Sequence, residues 1–439
     1  MKKWKKILLN IVISGIKSPM RKRSLRRQVI MECDCEGKEE LIQKALQNES
    51  SSWKEIEKNW TPSHEGKKIL ILSHQWGGGA EYYLRRIMGQ LLNEGNIVFL
   101  ATWSLKCEYI VLDIYEGEMR HTYHLLSLLE FCEDSKLNFD QIILNELVSW
   151  KLACRKDLPS SLGSDGLGRD IPDILEQIVE VSNYCSAPII HCYHDHFPVC
   201  PSITLIDWKG EYCGICEREE ICSSCMRKHN DTKHSYFSIL RWRQAWQYYF
   251  DHVSIIRFYS KNSMDIFSKV FSYPENKMEL IPHDPLIHYP HAIRIQAPEH
   301  PVIGIVGSMH HHKGSDLVLD AAERLFKEGS PVKFVIVGEL HSQRKIPANI
   351  EVIGKYEREN LPDILEKHSV NIACISSIWP ETFSYVTQEL MQLNLPVICF
   401  DLGAPPERVR TYDKGYVIKS ISPDSLIEGI KEFYHQLYS

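Results

Sequence analysis

Two glutamates and a third carboxylate lie close together in the C-terminal part of the chain. Glu381 and Glu389 are separated by seven residues, and Glu407 follows after an apolar run and a Gly/Pro turn. Pro380 is typical of a helix start, and a carboxylate near a helix N-terminus is stabilised by the helix dipole. The pattern predicts a helix from near Pro380 to about Asn394. Eight helical residues rise roughly 12 Å, so the two carboxylates could contact opposite ends of one elongated ligand.

Glycine-rich loops follow apolar strand-like runs at two places, and a helical pattern follows each loop. In such a layout, backbone N–H groups can approach an anion at the helix N-terminus. The second loop ends with Lys313, whose positive charge would add to the helix dipole in binding a diphosphate. The glycines of the two loops are Gly77, Gly78 and Gly79 in the first, and Gly307 and Gly314 in the second.

A histidine and five cysteines follow the strand-like run 188–193. His194 lies directly after this strand, at the edge where open α/β sheets bind ligands. Two C-x2-C units five residues apart have the spacing of a zinc knuckle, a closed structural site. Reduced or disulfide-paired thiols are the other interpretation. The cysteines are Cys213, Cys216, Cys222 and Cys225, with Cys200 as an alternate ligand.

Strand-like runs alternate with amphipathic helical patterns, and the pattern restarts after a proline-containing linker near residue 300. This alternation predicts an α/β fold with parallel, doubly wound sheets. We predict a basic N-terminal arm with a helical lead-in over 1–65 and a Rossmann-like domain over 66–290, with a Cys-rich insertion at 200–225. A second Rossmann-like domain is predicted over 301–439.

The charge distribution is uneven along the 439 residues, whose net charge is −6. Residues 1–31 carry ten Lys or Arg and no acid, so the remainder carries −16. Such an acidic body is not expected to bind nucleic acid. The 44% hydrophobic and 25% charged content is that of a soluble globular protein.

The basic N-terminus surrounds an apolar run from Ile7 to Ile16. This run is shorter than the about 20 residues that span a bilayer, and no small-residue cleavage site follows it. Residues 2–27 are then either a helix on an anionic membrane surface or a solvated arm. We expect a cytoplasmic protein, attached to the inner face of the membrane in the first case.

In their order along the chain, these motifs resemble the group 1 family of retaining, family 4-like glycosyltransferases over roughly residues 66–430. The stretch with His194 and the cysteines resembles a cysteine-bearing subset found among bacterial polysaccharide enzymes. The resemblance implies the GT-B fold, in which two Rossmann-like domains face a cleft. The most specific motifs are Gly307…Lys313-Gly314, Glu381-x7-Glu389 and Gly403…Glu407.

The resemblance also implies a donor site for a UDP- or GDP-sugar. Lys313 and the backbone N–H groups of the Gly403 loop would bind the diphosphate, and Glu389 would bind the ribose. Glu381 would contact the transferred sugar, and His194 would reach the sugar or a phosphate. The remaining motif residues are Gly307 and Glu407 on the donor side and Gly77, Gly78 and Gly79 beside the acceptor.

The implied reaction moves a hexose to a saccharide acceptor, lipid-linked in the pathway we expect, during synthesis of a bacterial surface polysaccharide. Negative charge develops on the departing diphosphate, and cationic and dipolar groups stabilise it. The leaving phosphate takes the acceptor proton, so no pair of acid and base carboxylates is required. No catalytic metal is expected.

Three features depart from the family pattern. His310, His311 and His312 stand where the family usually has an arginine before Lys-Gly, Asn394 replaces a glycine, and one helix follows Ile418. Two other functions remain open: a GT-B sugar-nucleotide epimerase or phosphorylase, and an inactive subunit that binds a partner transferase. Free UDP or GDP, rather than epimerised donor or sugar phosphate, would distinguish the transferase from the first. Absence of donor binding together with a stable partner pull-down would favour the second.

Overall fold

A computed structural model describes residues 65–74, 78–103, 110–125, 127–148, 150, 170–216, 218–228, 238–295 and 299–438. The predicted membrane-binding segment at 2–27 and Gly77 lie outside these ranges. Within them, no helix is long and apolar enough to cross a membrane.

The first sheet has eight strands in the order β4-β3-β2-β1-β5-β6-β7-β8. The pairs β2·β3 and β3·β4 are antiparallel, so the prediction of an entirely parallel sheet is wrong at this edge. A turn of two residues at Gly117 (φ 58°) joins β3 to β4, whereas a parallel crossover needs a dozen residues or more. In chain order, strands β1 to β8 are Lys68–Ser73, Ile97–Trp103, Ile110–Glu116, Met119–Leu125, Gln141–Leu144, Ile189–Cys192, Ile255–Phe258 and Met278–Leu280.

The second sheet has six strands in the order β11-β10-β9-β12-β13-β14, and all its pairs are parallel. This is the Rossmann order, which reverses between β9 and β12, the position where such sheets bind ligands. In chain order, strands β9 to β14 are Val302–Val306, Lys333–Val337, Ile350–Val352, Ile372–Ile375, Val397–Phe400 and Gly415–Ile418.

Helices connect the strands. In the first part these are α1 (Gly78–Asn93), α2 (Leu128–Ser135), α3 (Asp170–Cys185), α4 (Glu219–Lys228), α5 (Ile239–His252) and α6 (Lys261–Ser268). In the second part they are α7 (Ser315–Lys327), α8 (Leu361–Lys367), α9 (Tyr385–Gln392), α10 (Pro405–Val409) and α11 (Pro423–Tyr438). Helices α7 and α11 bury their apolar sides on one face of the second sheet, and α8, α9 and α10 cover the other.

The chain divides into two compact units. One contains the described residues up to Cys192 and those within His234–Arg257 and Tyr273–Met278, and the other contains the described residues within Tyr193–Lys233, Phe258–Ser272 and Glu279–Ser439. The Cys-rich segment therefore belongs to the same compact unit as the second sheet, whereas the sequence analysis places it as an insertion in the N-terminal domain. The predicted domain limits stay a prediction.

Candidate active site

Two loops from neighbouring strands meet at the carboxyl edge of the second sheet. One follows β9 and carries Lys313, and the other follows β12. The Ser376 hydroxyl donates to the Lys313 carbonyl oxygen at 2.8 Å, and the Ile378 N–H donates to the His312 carbonyl oxygen at 3.0 Å. The sheet topology thus brings together two segments that are more than 60 residues apart in sequence.

Gly314 is required where the two loops touch. Its φ is 82°, and a Cβ atom here would overlap the Ser376 carbonyl oxygen. Gly329 has a similar φ of 68°, but a Cβ atom there would meet nothing within 4 Å.

Gly314→Ala is therefore expected to destabilise the protein more than Gly329→Ala. The left-handed backbone should cost about 1–2 kcal/mol in either variant, and the steric overlap should add about 1–3 kcal/mol in Gly314→Ala. Urea unfolding of both variants measures the difference. Equal losses of unfolding free energy would show that the two loops separate at little cost.

Lys313 and Glu381 form an ion pair between the two loops. Lys313 Nζ lies 2.8 Å from Glu381 Oε2 and 5.8 Å from the Trp379 ring centroid. The Ser377 hydroxyl donates to Glu381 Oε1. Burial by itself would raise the pKa of Glu381, but Lys313 and hydrogen bonds from Ser377 and Ser384 outweigh it and lower the pKa. Glu381 is therefore an anion at neutral pH.

The predicted helix start at Pro380 is wrong, because α9 begins at Tyr385. Ser384 has a left-handed backbone with φ 65°, which interrupts a helix. The Glu381 carbonyl oxygen accepts the Ala404 N–H at 2.8 Å rather than a bond from within a helix. Glu381 thus lies in an irregular turn before α9.

Gly403 lies against the backbone of this turn. Its φ is 76°, and a Cβ atom would lie 2.5 Å from the Glu381 nitrogen. The Gly403 loop therefore contacts the backbone of Pro380 and Glu381 directly. Whether its N–H groups bind a diphosphate stays a prediction.

Glu389 lies inside α9 and is 1% exposed. Its Oε1 forms an ion pair with Arg358, and its Oε2 has no hydrogen-bond partner. A buried carboxylate oxygen without a donor is costly, so a ligand hydroxyl at this position would be stabilising. Arg358 was not recognised in the sequence because it is 31 residues away and belongs to no motif.

His194 stacks on Tyr259 with ring centroids 4.7 Å apart, and Tyr259 stacks on His283 at 3.7 Å. The His194 carbonyl oxygen accepts the Thr382 hydroxyl at 2.6 Å. The backbone of His194 thus contacts the turn that contains Glu381. Its contact with a sugar or phosphate stays a prediction.

His196 is a residue of this region that the sequence analysis did not single out. Its Nε2–H donates to the Pro380 carbonyl oxygen at 2.9 Å, and its Nδ1 accepts the Tyr193 hydroxyl at 3.2 Å. Burial lowers the pKa of His196 to about 4, although the Pro380 carbonyl opposes this. The neutral ring therefore joins the His194 strand end to the Glu381 turn.

The protein should lose stability as the pH falls from about 6.5 to about 4. The folded pKa of His196 is below the unfolded value, so its contribution is complete above pH 6.5 and is lost as the pH falls through this range. The shift corresponds to roughly 3 kcal/mol. Urea unfolding between pH 7.5 and 4.5 measures this. His196→Gln should flatten the pH dependence and His435→Gln, at an exposed position, should not; equal slopes in both variants would contradict the assignment.

Glu407 caps a helix in the structure. Its carboxylate accepts the backbone N–H groups of Lys261 at 3.1 Å and Asn262 at 2.5 Å, at the start of α6. Gly307 donates its N–H to the Val337 carbonyl oxygen at 2.9 Å. Gly78 and Gly79 are the first residues of α1 in the other compact unit. Their predicted contacts with donor or acceptor stay predictions.

Two of the three histidines in the Lys313 loop, His310 and His312, have lowered pKa values and do not supply a second cation at neutral pH. Burial and the Lys313 charge lower the pKa of His312 to about 4, and burial and His341 lower the pKa of His310. His311 donates to the Gly210 carbonyl oxygen at 2.9 Å and pairs with Asp316 at 2.8 Å, which raises its pKa against the effect of burial. His311 thus connects the loop to the Cys-rich segment.

The zinc prediction concerns five cysteines of this segment, Cys200, Cys213, Cys216, Cys222 and Cys225. Within the described residues, which include all five, no three His, Cys, Asp or Glu side chains are grouped around a common point. The Cys222 thiol contacts the Cys216 carbonyl oxygen at 3.5 Å, and Cys200 contacts Met226 at 3.8 Å. The zinc hypothesis stays a prediction for metal analysis of the purified, reduced protein.

Comparisons with known proteins agree with the fold. The family model described as "Glycosyl transferases group 1" matches residues 292–436. The structure is similar to a sucrose-phosphate synthase from Thermosynechococcus elongatus, with 16% identity and a TM-score of 0.54, covering 84% of this chain and 90% of the other. It is also similar to the apo form of WaaB, a lipopolysaccharide outer core galactosyltransferase, with 11% identity, a TM-score of 0.50, and coverage of 85% and 91%. No curated protein sequence matched the chain. The predicted GT-B fold is confirmed.

Proposed function

We propose that the protein transfers a hexose from a UDP- or GDP-sugar with retention of configuration, because residues 292–436 match the family model of the group 1 glycosyltransferases. The observation that carries the proposal is the Lys313–Glu381 ion pair at the carboxyl edge of the Rossmann-ordered sheet. It combines one cation for a diphosphate with one buried acceptor for sugar hydroxyls at the position where such sheets bind nucleotides.

Lys313 is assigned to the leaving diphosphate. Its side chain is 33% exposed, so it can contact a ligand while it remains paired with Glu381. As the bond between the sugar C1 and the phosphate oxygen breaks, the charge on the diphosphate increases, and a nearby ammonium group stabilises it. Because Lys313 supplies this charge, the proposal includes no catalytic metal.

Glu381 and Glu389 are assigned to opposite ends of the donor. Glu381 accepts hydrogen bonds from Lys313, Ser377 and Ser384 and is assigned to hydroxyls of the transferred sugar. The unpartnered Oε2 of Glu389 accepts the ribose hydroxyls. The acceptor hydroxyl forms its bond to C1 on the face that the diphosphate leaves. Its proton passes to a diphosphate oxygen, which balances the reaction.

The acceptor is proposed to be a saccharide, lipid-linked during synthesis of a bacterial surface polysaccharide. The support is the basic N-terminal sequence, which has ten Lys or Arg and no acid in residues 1–31. Such a segment would attract an anionic membrane surface. Binding of the full chain to vesicles with and without anionic lipid tests this part separately.

Thermal unfolding against a panel of UDP- and GDP-sugars tests the donor, because a ligand that binds only the folded protein raises Tm. The stabilising donor is then incubated with lipid-linked saccharides, and free UDP or GDP and the anomer of the product are measured. If the product were epimerised donor or sugar phosphate, the protein would catalyse epimerisation or phosphorolysis and not transfer. An unchanged Tm with every donor would refute the proposal.

A further inference from the structure

Arg408 lies on α10 with its guanidinium against the turn that leads from Glu381 into α9. Its Nη2 donates to the carbonyl oxygens of Phe383 and Ser384, the latter at 3.0 Å. The guanidinium carbon lies 4.2 Å from the centroid of the Phe383 ring. Arg408 therefore bonds two consecutive carbonyls and stacks on the side chain between Glu381 and α9.

The hydrogen bonds of the Arg408 guanidinium do not fully compensate for the cost of burying its charge. Nη1 has no hydrogen-bond partner, and the carbonyls of Phe383 and Ser384 carry no full negative charge. Burial lowers the pKa of Arg408 to about 10, although Glu381 and Glu407 oppose this. Arg408 is still protonated at neutral pH. Keeping a charge in such a place is costly, so a purely packing role would be better filled by an apolar side chain.

The two carbonyl bonds decide where the adjacent amides point. In a trans peptide, the C=O and the N–H of one unit point to opposite sides. Since Arg408 holds the carbonyls of Phe383 and Ser384, the N–H groups of Ser384 and Tyr385 point away from it. A left-handed residue followed by a helical one directs successive N–H groups into a concavity that favours anions, and Ser384, with φ 65°, precedes the first residue of α9.

The same turn carries Glu381. The Ser384 side chain hydrogen-bonds to the Glu381 carboxylate, which in turn bonds to Lys313. A change in the Phe383–Ser384 backbone would thus move the amides and the Glu381 partner together. His310 and His312 have lowered pKa values, and His311 is paired with Asp316, so oriented amides would have a larger share in binding a diphosphate.

We propose that Arg408 is a positioning residue for the donor diphosphate: by holding the Phe383 and Ser384 carbonyls, it directs the Ser384 and Tyr385 amides toward the β-phosphate. The inference rests on the proposed function. Arg408 itself does not contact the donor. Its loss should therefore weaken the recognition of the second phosphate and leave the recognition of the nucleoside unchanged.

Titration calorimetry with UMP, UDP, GMP and GDP measures this as the diphosphate preference, the ratio of the monophosphate Kd to the diphosphate Kd. We expect Arg408→Met to lower this preference at least 5-fold with little change in the monophosphate Kd. Arg408→Lys should retain an intermediate preference, because one ammonium group cannot reproduce the planar fork. Arg410→Met is the matched control, since Arg410 is exposed and pairs with Asp401.

An unchanged preference in Arg408→Met would overturn the inference and leave the proposed function intact. Equal weakening of monophosphate and diphosphate binding would show a structural role only and would also overturn it. If Arg408→Met does not unfold cooperatively, Arg408→Lys decides by the same ratio. Wild-type protein that binds none of the four nucleotides would overturn the proposed function, and the inference with it.

Discussion

Lys313→Ala is expected to lower the rate of sugar transfer at least 10-fold, which corresponds to about 1.4 kcal/mol of transition-state stabilisation. The variant removes the cation assigned to the leaving diphosphate and leaves the Glu381 carboxylate, whose side chain is 6% exposed, without its counter-charge. Release of UDP or GDP from the stabilising donor measures the rate. Lys327→Ala is the control, since Lys327 is an exposed lysine of α7 paired with Glu323.

The same variant should change the pH dependence of stability. In the wild type, the folded pKa of Glu381 is lowered, so its contribution is present above the unfolded pKa of about 4.3 and is lost as the pH falls through the folded pKa. Without Lys313, burial dominates and raises the folded pKa. We expect a loss of about 2 kcal/mol at pH 7, below the ~3–5 kcal/mol for a fully buried pair, because Lys313 is partly exposed.

This loss should shrink as the pH falls below the unfolded pKa and through the lowered folded pKa of Glu381, because Glu381 is then increasingly protonated in both proteins. Urea unfolding at pH 7 and pH 3.5 measures the two differences. A loss of unfolding free energy that stays constant with pH would mean that Lys313 stabilises the fold through packing and not through the Glu381 charge. A full transfer rate in the Lys313→Ala variant would remove Lys313 from the proposed reaction.

Glu389→Gln is expected to lower transfer at least 10-fold, again about 1.4 kcal/mol or more, through weaker donor binding. The change keeps the side-chain shape but removes the charge that pairs with Arg358, and it exchanges one acceptor for a donor. The ribose hydroxyls would then lose an acceptor for their protons. Affinity for UDP and for 2′,3′-dideoxy-UDP, or for the guanosine pair, measures the contribution of the hydroxyls.

Wild-type protein should bind the ribonucleotide more tightly than the dideoxynucleotide, and Glu389→Gln should bind both about equally. Glu328→Gln is the control, at an exposed glutamate 3.7 Å from Lys431. If Glu389→Gln kept the wild-type preference for the ribonucleotide, Glu389 would not be the ribose ligand. If it transferred sugar as fast as wild type, the whole donor assignment would be wrong.

The strands and most helices were predictable because burial requires a local pattern of apolar residues in the sequence. Fully buried parallel strands appear as short apolar runs, such as Val302–Val306, and amphipathic helices such as Ser315–Lys327 repeat their apolar residues at helical spacing. Asn394 illustrates another local trace. It occupies a position where the resemblance expects glycine, and its φ of 61° is left-handed, a conformation that Asn tolerates better than most residues.

The start of α9 was not predictable in this way. Pro380 and the carboxylate after it have the types that favour a helix N-terminus, yet the helix begins at Tyr385. The interruption depends on distant groups: Ala404 binds the Glu381 carbonyl, His196 binds the Pro380 carbonyl, and Arg408 binds the Phe383 and Ser384 carbonyls. No local propensity contains these contacts.

By itself, the sequence determined which side chains could do chemistry and on which kind of strand–loop–helix unit each lies, since these depend on residue type and on periodicities within a few turns. Only the tertiary structure decided their partners. The Lys313–Glu381 pair, the Arg358–Glu389 pair and the bonds of Arg408 join residues far apart in sequence. The physical reason is that parallel strands place distant loops side by side at one edge of the sheet, where a buried charge is costly unless another loop supplies polar or charged partners.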